Sequence, residues 1–264
     1  MSGGADRWSD LRPRLLSALV MAAVGAVAVW AGGAVFAALV IVATGAMFWE
    51  LAGMTKGTGP DRSILLGGLA AVCLLGVVAL PGLAKLALLV VPAAAGLALP
   101  RRDRAVFAGY GLVIMVTGFG LIALRNGFGI AMIVWLLAVV IASDVMGYFA
   151  GRILGGPKFW PKVSPKKTWS GTVAGWIGAA LVGWGFYAAG LGGAALIWLS
   201  PVLAFAGQLG DIAESAIKRR AGVKDSSNLI PGHGGVMDRF DALAAVVVVA
   251  VILAHLMALP VGGP

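Results

Sequence analysis

Carboxylates are concentrated in one short stretch of this chain. The sequence holds eleven acidic residues, and five of them fall between positions 211 and 241. These five are Asp211, Glu214, Asp225, Asp238 and Asp241. A sixth, Asp144, lies inside an apolar run, where an ionisable side chain is costly and therefore a functional candidate. Because Mg²⁺ binds one or two carboxylates together with water and substrate phosphates, this pattern predicts a metal site.

The spacing of the polar residues after position 210 predicts helix faces. If the preceding apolar run continues as a helix, four polar side chains lie on one face. These are Asp211, Glu214, Ser215 and Lys218. That face is either a set of ion pairs at a membrane surface or part of a site. Asp238 and Asp241 also share a face, and helix capping and metal binding are both compatible with this pair.

Two polar segments have the composition of phosphate-binding loops. In 224–235, His233 lies among glycines, and the backbone N–H groups of Gly234 and Gly235 could approach an anion closely. The second segment, 158–170, is basic and carries hydroxyl and ammonium donors. These donors are Ser164, Lys166, Lys167 and Thr168. Attraction to a lipid surface or a phosphate clamp would explain them. With the carboxylates, they favour phosphoryl or nucleotidyl transfer.

The elements that must position these residues are membrane-spanning helices. The chain is 60% hydrophobic and 12% charged, with a mean hydropathy of +0.98, which excludes a disordered chain and argues against a soluble enzyme. A membrane-spanning helix needs about 20 apolar residues, and nine segments are each long and apolar enough. They lie near 15–31, 33–52, 63–80, 83–99, 105–124, 128–150, 171–189, 192–210 and 241–259. We predict an all-α helical bundle forming one integral membrane domain, 1–264, with N-terminal spans in 1–140 and catalytic spans and loops in 141–264.

The basic residues predict the topology. With the N-terminus in the cytoplasm, 18 of the 20 Lys and Arg residues fall in cytoplasmic segments, and only Lys85 and Arg125 fall outside. This predicts a protein of the cell inner membrane with its catalytic loops in the cytoplasm and its C-terminus outside. The net charge of +9 does not indicate nucleic-acid binding, because in the predicted topology the basic residues are distributed over separate loops. The single cysteine, Cys73, excludes an intramolecular disulfide and a cysteine-based metal cluster.

Positions 215–241, SAIKRRAGVKDSSNLIPGHGGVMDRFD, resemble the signature of the phosphatidate cytidylyltransferase (CDP-diacylglycerol synthase) family. The matching positions are Ser215, Lys218, Arg219, Lys224, Asp225, His233, Gly234, Gly235, Asp238, Arg239 and Asp241. The stretch from Asp144 to Gly171 is similar too, including the run from Ser164 to Trp169. Val145 departs from the family, which often has a small hydroxyl residue there. For 1–140 the resemblance is limited to hydrophobic organisation, the arginines before the first span, and Glu50.

This resemblance implies transfer of a cytidylyl group from CTP to phosphatidic acid in phospholipid biosynthesis. The products are CDP-diacylglycerol and pyrophosphate, the cofactor is Mg²⁺, and the assembly is a homodimer. Whether one metal ion or two is bound is left open. The implied metal ligands are Asp144, Asp211, Asp238 and Asp241. The implied catalytic residues are Asp211, Asp238, Lys218, His233, Asp241 and Asp225. The implied phosphate-binding residues are Ser164, Lys166, Lys167, Thr168, Arg219, Lys224, Gly234, Gly235 and Arg239.

Two other classes of function remain as alternatives. One is a CTP-dependent enzyme acting on another lipid, such as a polyprenol kinase or an archaeal-lipid cytidylyltransferase, and a kinase would move the γ-phosphate instead of the cytidylyl group. The other is a transporter, which predicts carboxylates spread through several spans. Only Asp144 and Glu50 are intramembrane in this prediction, so transport is disfavoured.

Overall fold

The computed structural model describes residues 11–161 and 163–261, and these are mostly helical. The helices are α1 (Leu11–Ala31), α2 (Gly33–Met54), α3 (Ser63–Ala79), a 3₁₀-helix (Ala84–Leu89), α4 (Val91–Leu97), α5 (Arg104–Ile153), α6 (Trp169–Ala188), α7 (Leu196–Ala221) and α8 (Met237–Leu256). Two short strands, β1 (Lys158–Trp160) and β2 (Ser164–Thr168), pair antiparallel. Arg7 and Lys162, both counted in the topology prediction, lie outside the described residues.

Five helices in the described part of the chain are long and apolar enough to cross a membrane. They are Pro13–Ala31, Gly33–Met54, Arg104–Ile153, Leu196–Ala221 and Met237–Leu256. The prediction of a helical membrane protein agrees with this finding. The count of nine spans and the sidedness of the loops stay predictions.

Helix α5 accounts for two of the predicted spans. Its 50 residues would extend about 75 Å at 1.5 Å per residue, well beyond the roughly 30 Å of a bilayer core. Gly129 interrupts it with φ 77° and ψ −167°, a conformation that glycine adopts readily. The residues on either side correspond to the predicted segments 105–124 and 128–150.

Two segments differ from the sequence-based predictions. The segment predicted as one span at 83–99 is divided into the 3₁₀-helix and α4. Pro92 lies in the first turn of α4, where its missing N–H costs little, whereas inside one long helix it would remove a hydrogen bond. The basic segment 158–170 is not an irregular loop but contains the β1–β2 hairpin, which the all-α prediction missed. Pro161 and Pro165 disfavour helix there.

The chain forms two compact units, neither of them continuous in sequence. Unit 1 contains the described residues up to Phe119 together with Arg220–Arg239. Its helices α2 and α3 pack closely, because a Cβ atom on Gly67 would lie only 2.7 Å from the Gly45 carbonyl oxygen. Phe48 and Phe107, both fully buried, meet edge to face with ring centroids 5.6 Å apart.

Unit 2 contains residues 120–219 and 240–261. The fully buried Trp135 donates through Nε1 to Ser200 Oγ at 2.9 Å, which satisfies the indole within an apolar core. The start of α6 approaches the C-terminal half of α5 closely, since a Cβ atom on Gly171 would lie 2.6 Å from the Gly147 carbonyl oxygen. This glycine contact places the α5 residues from Asp144 onward beside the hairpin and the first turn of α6.

Substituting Gly67 with alanine tests the α2–α3 contact. The new methyl group must displace the Gly45 carbonyl or Trp49, whose Cβ would be 2.8 Å away, and such overpacking costs about 1–3 kcal/mol. We expect Gly67→Ala to lower the thermal unfolding temperature of the purified protein in detergent. Gly68→Ala is the matched control, because a Cβ atom at Gly68 meets open space. Equal unfolding temperatures for the two variants would contradict the contact.

Candidate active site

A cleft of about 350 Å³ opens in unit 2. Its walls come from α5, the hairpin, the start of α6, and α7. Its polar lining residues are Ser143, Asp144, Tyr148, Arg152, Lys166, Lys167, Thr168, Thr172 and Gln208. The volume falls in the range of about 300–1,000 Å³ that small-molecule sites occupy. Three cationic side chains and one carboxylate in a cleft of this size suit a phosphate-bearing ligand.

The Lys167 side chain joins the hairpin to α7. Its Nζ atom lies 2.5 Å from Asp211 Oδ2 and donates to the Gln208 carbonyl oxygen at 3.1 Å. An ammonium group carries three protons, so these two contacts leave one for a ligand. Because the pair is part-exposed, with 25% of the Lys167 and 34% of the Asp211 side chain accessible, a ligand phosphate can reach the ammonium group.

Gln208 organises the floor of the cleft and was not singled out from the sequence. Its Nε2 atom donates to Ser143 Oγ and to the Thr172 carbonyl oxygen, both at 3.3 Å, and its Oε1 atom accepts from Trp176 Nε1 at 3.1 Å. The side chain is buried and links α7 to α5 and α6. Its signal in the sequence is an amide inside an otherwise apolar span, where a polar group needs partners.

The three acidic residues Asp144, Asp211 and Asp241 lie in unit 2, within electrostatic range of one another. Asp144 lines the cleft, and Asp241 Oδ1 accepts from the Ala242 N–H at 2.7 Å. Across residues 11–161 and 163–261, no group of three or more His, Cys, Asp or Glu side chains is arranged to hold a metal ion. The Lys167 ammonium group lies where it partly neutralises this carboxylate charge.

Helix α7 continues through the polar residues after position 210, as the spacing predicted, and ends at Ala221. Glu214 is fully buried, and its Oε2 atom lies 2.7 Å from Lys218 Nζ in the next turn. The ion-pair interpretation of this face is therefore confirmed for Glu214 and Lys218. Lys218 does not line the cleft, and its predicted catalytic role stays a prediction.

In unit 1, Glu50 of α2 holds the loop that precedes α8. Its carboxylate accepts from two backbone N–H groups, Val236 at 2.9 Å and Met237 at 2.7 Å. It also accepts from the Ser227 hydroxyl at 2.6 Å and lies 3.2 Å from Ser226 Oγ. Glu50 is only 2% exposed. A buried carboxylate is tolerated when it is hydrogen-bonded in this way, and here it also satisfies the first N–H groups of a helix.

Asp238 holds the same loop from the other side. Its Oδ2 atom accepts from the Ser226 N–H at 2.9 Å and the Gly235 N–H at 2.7 Å. The same atom lies 2.9 Å from Ser226 Oγ, so Asp238 and Glu50 compete for the single proton of that hydroxyl. A Cβ atom on Gly235 would collide with Ser226 Oγ and Glu50 Oε1, so glycine is required there. The Gly235 N–H, predicted as a phosphate donor, donates to Asp238. Gly234 has φ +83° and lies close to the same carboxylate.

The other predicted site residues fall into two groups. In unit 2, Thr168 caps α6 by accepting from the Gly171 N–H at 3.2 Å. Ser164 begins β2 opposite Trp160, and Arg219 is exposed near the end of α7. In unit 1, the exposed residues are Lys224, Asp225 and Arg239. The Arg239 guanidinium donates to the His233 carbonyl oxygen at 2.9 Å.

Comparison with known protein families shows to which family this chain belongs. Residues 12–257 match the sequence model of the cytidylyltransferase family. The chain belongs to the cytidylyltransferase family. This match covers the residues that line the cleft and also the loop before α8 that Glu50 and Asp238 hold. The resemblance inferred from positions 215–241 is therefore confirmed.

Three relatives of this chain carry the name phosphatidate cytidylyltransferase. The chain is 52% identical over 117 residues to the protein of Brucella abortus biovar 1 (strain 9-941), with 43% of each chain covered. It is 40% identical over 120 residues to that of Helicobacter pylori (strain ATCC 700392 / 26695), with 42% of each covered. It is 42% identical over 123 residues to that of Haemophilus influenzae, covering 44% of this chain and 43% of the relative. The matched stretch spans less than half the length of these relatives.

The role of Glu50 can be tested by hydrogen exchange. In Glu50→Gln, an amide N–H₂ group must face backbone N–H donors. We therefore expect faster exchange of the amides in 226–237, measured by mass spectrometry on protein in detergent. Asp61→Asn is the control, because the hydrogen bonds of this carboxylate come from Lys56 and Ser63, outside the segment 226–237. Unchanged exchange of 226–237 in Glu50→Gln would show that Glu50 does not hold the loop.

Proposed function

We propose that this protein transfers a cytidylyl group from CTP to phosphatidic acid, giving CDP-diacylglycerol and pyrophosphate. The observation that carries the proposal is a cleft lined by Arg152, Lys166 and Lys167 in a member of the cytidylyltransferase family. The names of the relatives support the choice of substrates. Both substrates are phosphate esters, and a helical membrane protein can meet the lipid substrate in the bilayer.

The proposed reaction is an in-line displacement at phosphorus. A non-bridging oxygen of the lipid phosphate attacks the α-phosphorus of CTP, and the bond from that phosphorus to the β-phosphate oxygen breaks. Pyrophosphate leaves with the electron pair of that bond. The attacking phosphate is already anionic near neutral pH, so positioning and charge stabilisation supply most of the catalysis. Lys166, Lys167 and Arg152 would orient the phosphates and stabilise charge on their oxygens.

We also propose that Mg²⁺ is the cofactor. The donor chemistry fits, because Mg²⁺ needs only one or two carboxylates when water and substrate phosphates complete its shell. One or two of Asp144, Asp211 and Asp241 would hold it in unit 2. The bound cation would neutralise phosphate charge. Metal binding by Asp238 stays a prediction from the sequence, as does the number of metal ions.

Three finer statements belong to the same proposal. The positive-inside pattern supports a cytoplasmic N-terminus and cleft, with the C-terminus outside. The apolar helices support an inner-membrane location. A homodimer is proposed from the family resemblance. The remaining predicted site residues, among them Ser164, Asp225, Arg219 and Lys224, are proposed to bind phosphates or to shape the loops that do.

The deciding experiment follows labelled CTP. Purified protein in mixed micelles receives Mg²⁺ and phosphatidic acid, with the label on either the α- or the γ-phosphate of CTP. We expect α-label in the lipid phase, dependent on both substrates and lost on chelation. Entry of γ-label into lipid would identify a kinase. No lipid labelling beside an active control enzyme would refute the proposed function.

Replacing Lys166 tests the cationic wall of the cleft. Lys166 is exposed at the cleft, so Lys166→Met removes an ammonium group without leaving a buried charge behind. We expect kcat/KM to fall roughly 10- to 100-fold, the loss of one charge-assisted contact. Lys158→Met, in the same hairpin but away from the cleft lining, is the control. Equal activities would exclude Lys166 from phosphate binding.

Replacing Asp144 tests the metal site with a readout other than turnover. Mn²⁺ can replace Mg²⁺ in oxygen-ligand sites and gives a spectroscopic signal when free. We expect Asp144→Asn to weaken Mn²⁺ binding at least tenfold in a titration of the purified protein. Asp61→Asn, remote from the unit 2 carboxylates in sequence, is the control. Wild-type affinity in Asp144→Asn would remove this residue from the proposed ligand set.

A further inference from the structure

The hydroxyl group of Ser17 in α1 contacts three polar atoms of unit 1. Its Oγ atom lies 2.9 Å from the Pro231 carbonyl oxygen, 3.0 Å from the Arg14 carbonyl oxygen and 2.8 Å from His233 Nδ1. A hydroxyl group has one proton to donate and two lone pairs that accept. The two carbonyl oxygens can only accept, so they compete for that single proton.

These contacts determine which ring nitrogen of His233 carries the proton. If the Ser17 proton pointed at Nδ1, both carbonyl oxygens would face hydroxyl lone pairs at hydrogen-bonding distance. When the proton points at a carbonyl oxygen, the short contact to Nδ1 is favourable only if Nδ1 is the donor. We infer that Ser17 is a positioning residue that holds the neutral His233 ring with its proton on Nδ1, leaving Nε2 as the acceptor.

The backbone of His233 is fixed by hydrogen bonds of its own turn. The His233 N–H donates to the Ile230 carbonyl oxygen at 2.9 Å, and the Ile230 N–H donates to the Gly234 carbonyl oxygen at 2.8 Å. The turn is therefore closed on itself, and Arg239 donates to the His233 carbonyl oxygen. The backbone of His233 is therefore held by the turn, and its Nδ1 atom is held by Ser17.

This tautomer gives Nε2 a defined chemistry. In the neutral ring Nε2 accepts a proton or a hydrogen bond, so its partner must be a donor such as the hydroxyl group of a monoprotonated phosphate ester. Transfer of that proton would leave a phosphate dianion beside an imidazolium ring, which then donates back through Nε2. This step rests on the proposed function, whereas the position of the proton does not.

Nitrogen NMR of the histidine rings tests the inference directly. The chain has only two histidines, so selective ¹⁵N-histidine labelling of the full protein in detergent micelles gives two ring patterns. His255 supplies an internal reference, because its Nδ1 atom lies 2.7 Å from the Val251 carbonyl oxygen and must be the protonated nitrogen. His255→Gln assigns the remaining pattern to His233. Spectra are recorded without substrate, at a pH where both rings are neutral.

We expect His233 to show a protonated Nδ1 and an unprotonated Nε2, matching the reference. In Ser17→Ala we expect a mixture of tautomers, and Ser17→Thr, which keeps a hydroxyl group, should restore the wild-type pattern. Dominant protonation of Nε2 in the wild type would overturn the inference, and so would a wild-type pattern in Ser17→Ala. Because the readout needs no turnover, failure of the labelled-CTP experiment would leave it standing.

Discussion

One buried carboxylate sets the structure of the loop that carries many of the predicted active-site residues. Glu50 belongs to an apolar helix, α2, yet the groups within hydrogen-bonding distance of its carboxylate all lie in the segment between Ser226 and Met237. Burying a carboxylate without such partners would be costly, and the first N–H groups of α8 would otherwise need acceptors. Glu50 of α2 and the loop before α8 therefore stabilise each other. This contact also determines where the exposed residues of the loop lie.

In unit 2, an ion pair holds the hairpin lysine in place. Lys167 of the hairpin meets both the carboxylate of Asp211 and the backbone beside Gln208. Gln208 in turn is bonded to α5 and α6. A lysine that is held on two sides points an ammonium group in a fixed direction, whereas a free lysine would lose side-chain entropy on binding a ligand. The cleft is therefore partly preorganised for an anion before one arrives.

The sequence predicted the apolar helices and the continuation of α7 because both depend on local periodicity and composition. Through positions 215–241 it also indicated the family, and the match over residues 12–257 confirms this. It did not predict that Glu50 accepts from the loop before α8. Val236 and Met237 donate to Glu50 across 186 and 187 positions, and spacing within a loop cannot reveal an acceptor so distant in the chain. The break near Pro92 was missed for a different reason, since apolar composition alone masked a change of helix type.

Acidic and basic side chains have separate tasks in this molecule. Glu50 and Asp238 accept from the chain's own donors, while Glu214 and Asp211 pair with lysines of the same unit. Exposed cationic groups such as Lys166 instead face a cleft or solvent. Some exposed cations, such as Lys56 and Arg220, are paired with carboxylates, whereas Lys166 lines the cleft, where it can meet a polyanion. A membrane protein organised in this way suits two phosphate-bearing substrates better than it suits the passage of an ion.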